Sequence, residues 1–349
     1  MHPNPEDIMK RLLCMSLSLL GITLAAVGAH SSEVTLRLHQ FLPLQAAIPA
    51  NTIAPWIETV HEASGGRITI EHYPSMQLGG RAPELYGQVR NGVVDIIWTV
   101  LGYTPGLFPT AETFELPFMT GDATSGSVAF HRFMMENGED EFKDVHPLAF
   151  HIHGPGVIHV KGEAVRNLDD LHGKKLRGPT RMITNLLGEL GATPVGMPVP
   201  AVPESLAKGV IDGTVLPYEV TIPLKIAELT DGHTGFASYP GLYTATFALI
   251  MNKTRYAGLP DDLKAVIDAA SGEKLARLAG QAMDDVDKVG LDIARRSGNA
   301  VVEIDDVAKA KWQAASQPVV DNWIAEMNRK GLNGVGLVTK ARSAIAAAN

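Results

Sequence analysis

From Val34 onward the chain alternates short runs of strand-like and helix-like patterning. "VTLRLHQFLP" carries apolar side chains at every second position and stops at Pro43, as a half-buried strand does. "IPANTIAPWIETVHEASGG" instead sets Ile53, Trp56, Ile57 and Val60 on one helical stripe, closed by Gly65 and Gly66. "RITIEHYP" alternates again, and "APELYGQVRNG" predicts a second helix capped by Gly92. "VVDIIWTV" is apolar almost throughout, the pattern of a parallel strand buried on both faces. Further on, "HPLAFHIHGPGVIHVKG" predicts strand, turn, strand, and "LDDLHGKKLRGPT" a helical turn followed by a strand. A helix from Thr180 closes at Gly191 and leads into a strand, and "VPESLAKGVIDGTVLPYE" predicts a helix ended by Gly209 and one more strand. Between Pro260 and Gly298 the pattern is nearly continuous helix, with Asp261 and Asp262 in the first turn. "AVVEID" predicts a lone strand, and helices occupy "VAKAKWQAASQPVVDNWIAEMNRK". Strands alternating with helices predict an α/β fold. Two such blocks with a returning chain predict two lobes, the long helical run bracing both, and the absence of any low-complexity linker predicts lobes joined by strands.

Composition supports a globular reading: 349 residues, 45% hydrophobic and 19% charged, suffice for two domains of ordinary size. The first residues stand apart. Lys10 and Arg11 precede an apolar run from Leu12 to Ala26, and Val27 and Ala29 fit the minus-three and minus-one positions of a cut before His30. Residues 1–29 therefore predict a signal peptide, since the run falls short of the roughly 20 residues a spanning helix needs. Met9 is an alternative start, because "MHPNPEDI" is acidic and unlike a signal's first segment. The cut removes Cys14, the only cysteine, and Leu13 before it does not suit a lipoprotein signal. A mature chain without thiols fits a bacterial periplasm better than a disulfide-rich extracellular setting. The cut takes two acids and two bases, so the net charge stays at −8. With no basic run, nucleic acid is excluded as a partner and a solute or another protein is expected.

Nucleophilic and zincin-type enzymes are disfavoured by the lack of a G-x-S-x-G elbow, of H-E-x-x-H and of any mature cysteine. One metal reading stays open. A strand through "HIHGPGVIH" puts His151 and His153 on one face and returns His159 on the next strand, which would suit an exported metal-dependent enzyme; no acid or cysteine is interleaved to strengthen it. The glycine turns "GGRAPELYGQ" and "GPGVIHVKG" lack the residues of a phosphate loop or a dinucleotide fingerprint, and no cofactor is expected. Polar and aromatic groups collect instead at strand ends: Phe41, Trp98, Thr99, Tyr103, His153, Arg177, Tyr218 and Glu219. In open α/β sheets ligands lie outside the carboxyl ends of parallel strands, so these residues are candidates for one shared crevice.

The order of motifs resembles the substrate-binding subunit of tripartite ATP-independent periplasmic (TRAP) transporters, the DctP-like family. The likeness runs through "GGRITIEHYPSMQLGGRAPELYGQVRNGVVDI", "LFPTAETFELPFM", "LDDLHGKKLRGPT", "GATPVGMPVPAVPESLAKGVIDG" and "LYTATFALIMNKTRYAGLPDDLKAVI", nearly the whole mature chain. It implies a two-lobed periplasmic binding protein fold, type II-like, with lobe I over residues 30–155 and 243–280 and lobe II over 156–242 and 281–349. It further implies hinge closure over a solute, delivery to an ion-coupled membrane permease, and no enzymatic activity. The family's carboxylate-pairing arginine falls on Arg177 of "GKKLRGPTRM". Departures from the sialic-acid-type pattern are Gly156 in place of a second arginine, Leu216 in place of an asparagine before proline, and Val100 where an acid can sit. They imply a more apolar pocket and disfavour sialic acid itself. Should Glu219 and the aromatics face the cleft, a small amine or zwitterion is a serious alternative to a carboxylate; should they face away, a small monocarboxylate, aromatic or hydroxylated, is expected.

Overall fold

The structure is a computed structural model that describes residues 33–348. The signal segment, with Cys14 and Met9, lies outside the described residues. Two sheets organise the chain. The first has five strands in the order β2 (Ile68–Tyr73), β1 (Val34–His39), β3 (Ile96–Val100), β10 (Thr246–Asn252) and β4 (Val145–Ile152). The second has six: β11 (Ala300–Ile304), β9 (Gly232–Phe236), β5 (Val157–Val160), β8 (Gly213–Leu216), β6 (Lys175–Gly178) and β7 (Thr193–Gly196). This is the α/β architecture that the alternating pattern predicts.

Each sheet contains one strand that runs against its neighbours, β10 in the first and β5 in the second. Both are crossing strands. The chain leaves β4 and enters the other sheet directly as β5, and returns from β9 as β10. A strand entering from the side where the parallel strands end must run antiparallel to them. β3 accordingly is parallel to β1 but antiparallel to β10, rather than flanked by parallel strands as its apolar run predicts; all five of its residues are nevertheless buried.

Three elements escape the sequence patterning. Helix Ala123–Asn137 starts at Asp122, whose carboxylate accepts the Ser125 N–H at 2.7 Å, and so many of its positions are buried that no polar face sets off a stripe. Strand β9, "GHTGF", has two glycines and no apolar run. The C-terminal helix Gly334–Ala348 packs Ala341 into the core under the first sheet and ties to Asn137 through Lys340 Nζ at 2.7 Å. The long helical run is two helices, Asp261–Ala270 and Glu273–Arg296, parted at Gly272, whose φ of +77° is left-handed. The second of them is a brace in a literal sense. Its Asp284 accepts the N–H groups of Ala123 and Thr124 at 2.8 and 2.9 Å, at the start of the helix on the first-sheet side. Its Asp287, one turn on, accepts the Glu219 N–H at 2.8 Å, at the start of the short helix Tyr218–Thr221 that follows β8.

Candidate ligand-binding site

Between the sheets, strand ends from both line a small cavity of about 40 Å³. Arg177 enters it from β6, which runs between the parallel strands β7 and β8. Its side chain is fully buried. Nε donates to the Met197 carbonyl at 2.8 Å and Nη1 to the Val215 carbonyl at 3.3 Å, which fixes the plane of the guanidinium. Nη2 has no protein hydrogen-bond partner among the described residues, and neither does the buried hydroxyl of Tyr243, which lines the same cavity. No carboxylate forms an ion pair with Arg177 among the described residues. A desolvated, unneutralised guanidinium beside an unpaired hydroxyl is costly by itself and well matched to an anion with two acceptor oxygens.

Aromatic rings form the walls. Phe41 stacks on Trp98 at 4.7 Å and 10°, and Trp98 on Phe247 at 5.4 Å and 6°, so their faces are nearly parallel. Trp98 Nε1 donates to His151 Nε2 at 2.8 Å. Tyr103, in the turn after β3, accepts the Val199 N–H on its hydroxyl at 2.9 Å. His153 Nε2 accepts the Ala245 N–H at 2.9 Å, so its Nδ1 carries the proton and donates to the Gly154 carbonyl; burial takes its pKa down to about 4 and keeps it neutral. Just outside the cavity Glu115 spans the two sheets. Its carboxylate oxygens accept Thr180 Oγ1 at 2.6 Å on one side and Thr246 N–H and Oγ1 at 3.1 and 2.9 Å on the other.

Acids here are held unusually basic. Burial, with Asp287 close by, pushes Glu219 up to about 8, and burial raises Asp287, Glu115 and Glu141 to about 7. Buried histidines move the other way, to about 3 for His151 and His159 and about 4 for His72, His153 and His233. The signs oppose. Between the ordinary carboxyl value of 4.5 and the raised values the folded chain holds more protons than the unfolded one, so the acids lower stability as pH rises. The histidines raise stability with pH until their unfolded forms have lost their protons, about one unit above the ordinary value of 6.5. Beyond that point the acids dominate. The melting temperature of the ligand-free protein is therefore expected to fall between about pH 7.5 and 8.5; a buffer series in differential scanning calorimetry checks this, and a flat or rising profile contradicts it.

The sequence profile of the DctP family, bacterial extracellular solute-binding protein family 7, matches residues 47–327. The chain belongs to this family. Among solved structures, a marine metagenome TRAP solute-binding protein from an unidentified microbe is 45% identical, with a TM-score of 0.89 over 91% of this chain and 100% of that one; it is described as specific for aromatic acids and holds 3-hydroxybenzoate. A TRAP solute-binding protein of Rhodoferax ferrireducens, which copurified with benzoate, is 44% identical with a TM-score of 0.88 over 90% and 98% of the two chains. One from Bordetella bronchiseptica with bound (R)- and (S)-mandelate is 29% identical, with a TM-score of 0.84 over 90% and 100%. TRAP solute-binding proteins are transport proteins, not an enzyme family, and work with membrane permease subunits. Among the described residues no helix is long and apolar enough to cross a membrane.

In this TRAP solute-binding protein the cavity brings together Phe41, Trp98, Tyr103, His153, Arg177, Leu216 and Glu219 of the expected residues. Thr99, Gly156 and Tyr218 do not line it. Thr99 sits between Trp98 and Val100 on β3, and strand alternation turns it to the other face. Tyr218 packs edge-on against His159 at 5.4 Å, behind the cavity wall. Gly156 acts by its lack of a side chain: a Cβ there would lie 1.9 Å from Tyr243 Cε1. The histidines do not assemble. His159 Nδ1 meets His233 Nδ1 at 2.6 Å in the second sheet while His151 is bonded to Trp98 in the first, and among the described residues no group of three acids, histidines or cysteines is placed to hold a metal. Tyr243 and Phe247, the most consequential lining residues missing from the sequence expectation, arrive on the returning strand β10 and the segment before it.

Proposed function

We propose that the protein captures a small aromatic monocarboxylate between its two sheets and delivers it to the permease of a TRAP transporter. The observation that carries this reading is the pairing of Arg177 Nη2 and the Tyr243 hydroxyl, both buried and unpartnered by protein, in a cavity otherwise walled by flat aromatic and aliphatic groups. The aromatic acids bound by the neighbours at 44 and 45% identity support it. An amine is the less suited ligand, because Arg177 repels it and Glu219 favours its neutral form. We assign export to the periplasm to the signal segment 1–29. The lobes are assigned as 30–155 with 243–280 and 156–242 with 281–349, hinging where the chain crosses between sheets. In support, every strand of the first sheet falls in the first group and every strand of the second sheet in the second, although Gly334–Ala348 packs on the first.

A thermal-shift and calorimetric panel tests the ligand class. Benzoate, 3-hydroxybenzoate and mandelate are expected to raise the melting temperature, since ligand at about 100 times its dissociation constant adds roughly 2.7 kcal/mol. Succinate, glucuronate and tyramine are expected to do nothing. Stabilisation by tyramine and not by the benzoates would reverse the assignment.

A further inference from the structure

Anchoring a carboxylate at Arg177 and Tyr243 gives no work to the other ionisable group in the cavity. Glu219 lies on the short helix after β8, 4% exposed, with Leu216, Val220 and Met283 also lining the cavity around it. Its main-chain N–H is taken by Asp287 Oδ1. Its carboxyl makes no hydrogen bond or ion pair to protein among the described residues, yet it faces the cavity. A carboxyl on a cavity wall that no protein group satisfies is a place where a ligand can supply the partner.

The chemistry of that partner follows from the surroundings. Leaving water and facing Asp287 both work against a charge on Glu219, and Asp287 offers no cation to neutralise one. A protonated carboxyl has one O–H to donate and a carbonyl oxygen to accept with, which is the complement of a hydroxyl, itself donor and acceptor. An ammonium group donates only, and a methyl group does neither. We propose that Glu219 is a specificity-determining residue, a second polar pole that selects aromatic carboxylates bearing a ring hydroxyl away from the carboxylate. The proposal rests on the reading of Arg177 as the carboxylate anchor and assigns the ligand's far end.

Calorimetric titration of the exported protein with benzoate, 3-hydroxybenzoate, 4-hydroxybenzoate, 3-methylbenzoate and 4-methylbenzoate tests it. At least one hydroxybenzoate is expected to bind about tenfold tighter than benzoate, the equivalent of one good hydrogen bond, with no such gain for the methyl compound of the same position. In Glu219→Leu that advantage, read as the ratio of hydroxybenzoate to benzoate affinity in the same variant, should shrink below about threefold. Glu219→Gln, which can still donate and accept, should keep most of it. The assignment is overturned if wild type shows no hydroxyl preference, or if the preference survives in Glu219→Leu. Binding of neither benzoate nor any hydroxybenzoate would overturn the carboxylate reading and this one with it, whereas benzoate binding without discrimination overturns this one alone.

Discussion

Arg177→Ala is expected to weaken the binding of benzoate by at least about 100-fold, the largest loss from any single side chain of the site. The magnitude follows from what the guanidinium offers. Nε and Nη1 are committed to the Met197 and Val215 carbonyls, which holds the group in place, and Nη2 is left buried without a protein partner beside the cavity that Arg177 lines. A hydrogen bond to a charged group contributes about 1.5–3 kcal/mol, and here it acts where water is excluded and no acid competes. Arg177→Lys keeps the charge but loses the plane and both carbonyl anchors, and should recover only part of the affinity. Removing a buried cation that nothing neutralises should leave the melting temperature of the ligand-free protein unchanged or higher, whereas removing a structural arginine would lower it. Titration calorimetry on both variants gives the answer, and benzoate affinity within about fivefold of wild type in Arg177→Ala would remove the anchor from the reading.

How far this site could be read in the sequence depended on where each residue sits in its element. β3, β4, β6 and β8 each announce themselves by local pattern and end beside the cavity, so the rule that ligands lie at carboxyl ends pointed to Trp98, His153 and Arg177, which line it, while Leu216 at the end of β8 entered through the family resemblance. Period-two alternation was available to separate Trp98 from Thr99, and a wholly apolar strand hid which face mattered. Tyr243 and Phe247 come in on the amino side of β10, a crossing strand, where the same rule says nothing. The His151, His153, His159 grouping failed for a related reason. The turn after His153 does not fold the chain back as a hairpin; it carries β5 into the other sheet, where His159 pairs with His233. Long-range partners of this kind leave no trace in local pattern. Helix Ala123–Asn137 was invisible because burial on nearly every side erased the stripe that reveals a surface helix.

Links across the cavity bear on the cost of separating the sheets. Glu115 joins Thr180, which caps the helix after β6, to Thr246 at the start of β10. Nearby, Arg181 is held between Glu112 and Glu326, and Trp323 Nε1 donates to Glu112 at 3.2 Å. None of these residues lines the cavity, so they set the relative position of Arg177 and the aromatic wall without selecting among ligands. Selection is left to the few groups that face inward.

Gly156 shows how that wall is admitted, and Gly156→Ala is expected to cost about 2–3 kcal/mol of stability together with about tenfold or more in benzoate affinity. Its N–H donates to the Tyr243 carbonyl at 2.9 Å, and an added Cβ would fall 1.9 Å from Tyr243 Cε1, too close for any small adjustment. The ring, 2% exposed and packed edge-on to His153 at 5.3 Å, would have to leave, taking its hydroxyl from the anion position. Tyr243→Phe isolates the second effect. It keeps the ring, so stability should hold or rise as an unpaired buried hydroxyl is removed, while affinity falls about tenfold. Pairing Gly156→Ala with Tyr243→Ala relieves the clash: the double variant should be more stable than the two single losses added together, yet bind no better. Urea unfolding and calorimetry measure both quantities, and Gly156→Ala at wild-type stability would show that the ring is not held where this packing requires. The same geometry explains the missing second arginine. A side chain at position 156 cannot coexist with Tyr243 where it now packs, so the chain has an aromatic wall in place of a second cation, which agrees with the proposed flat ligand bearing a single carboxylate.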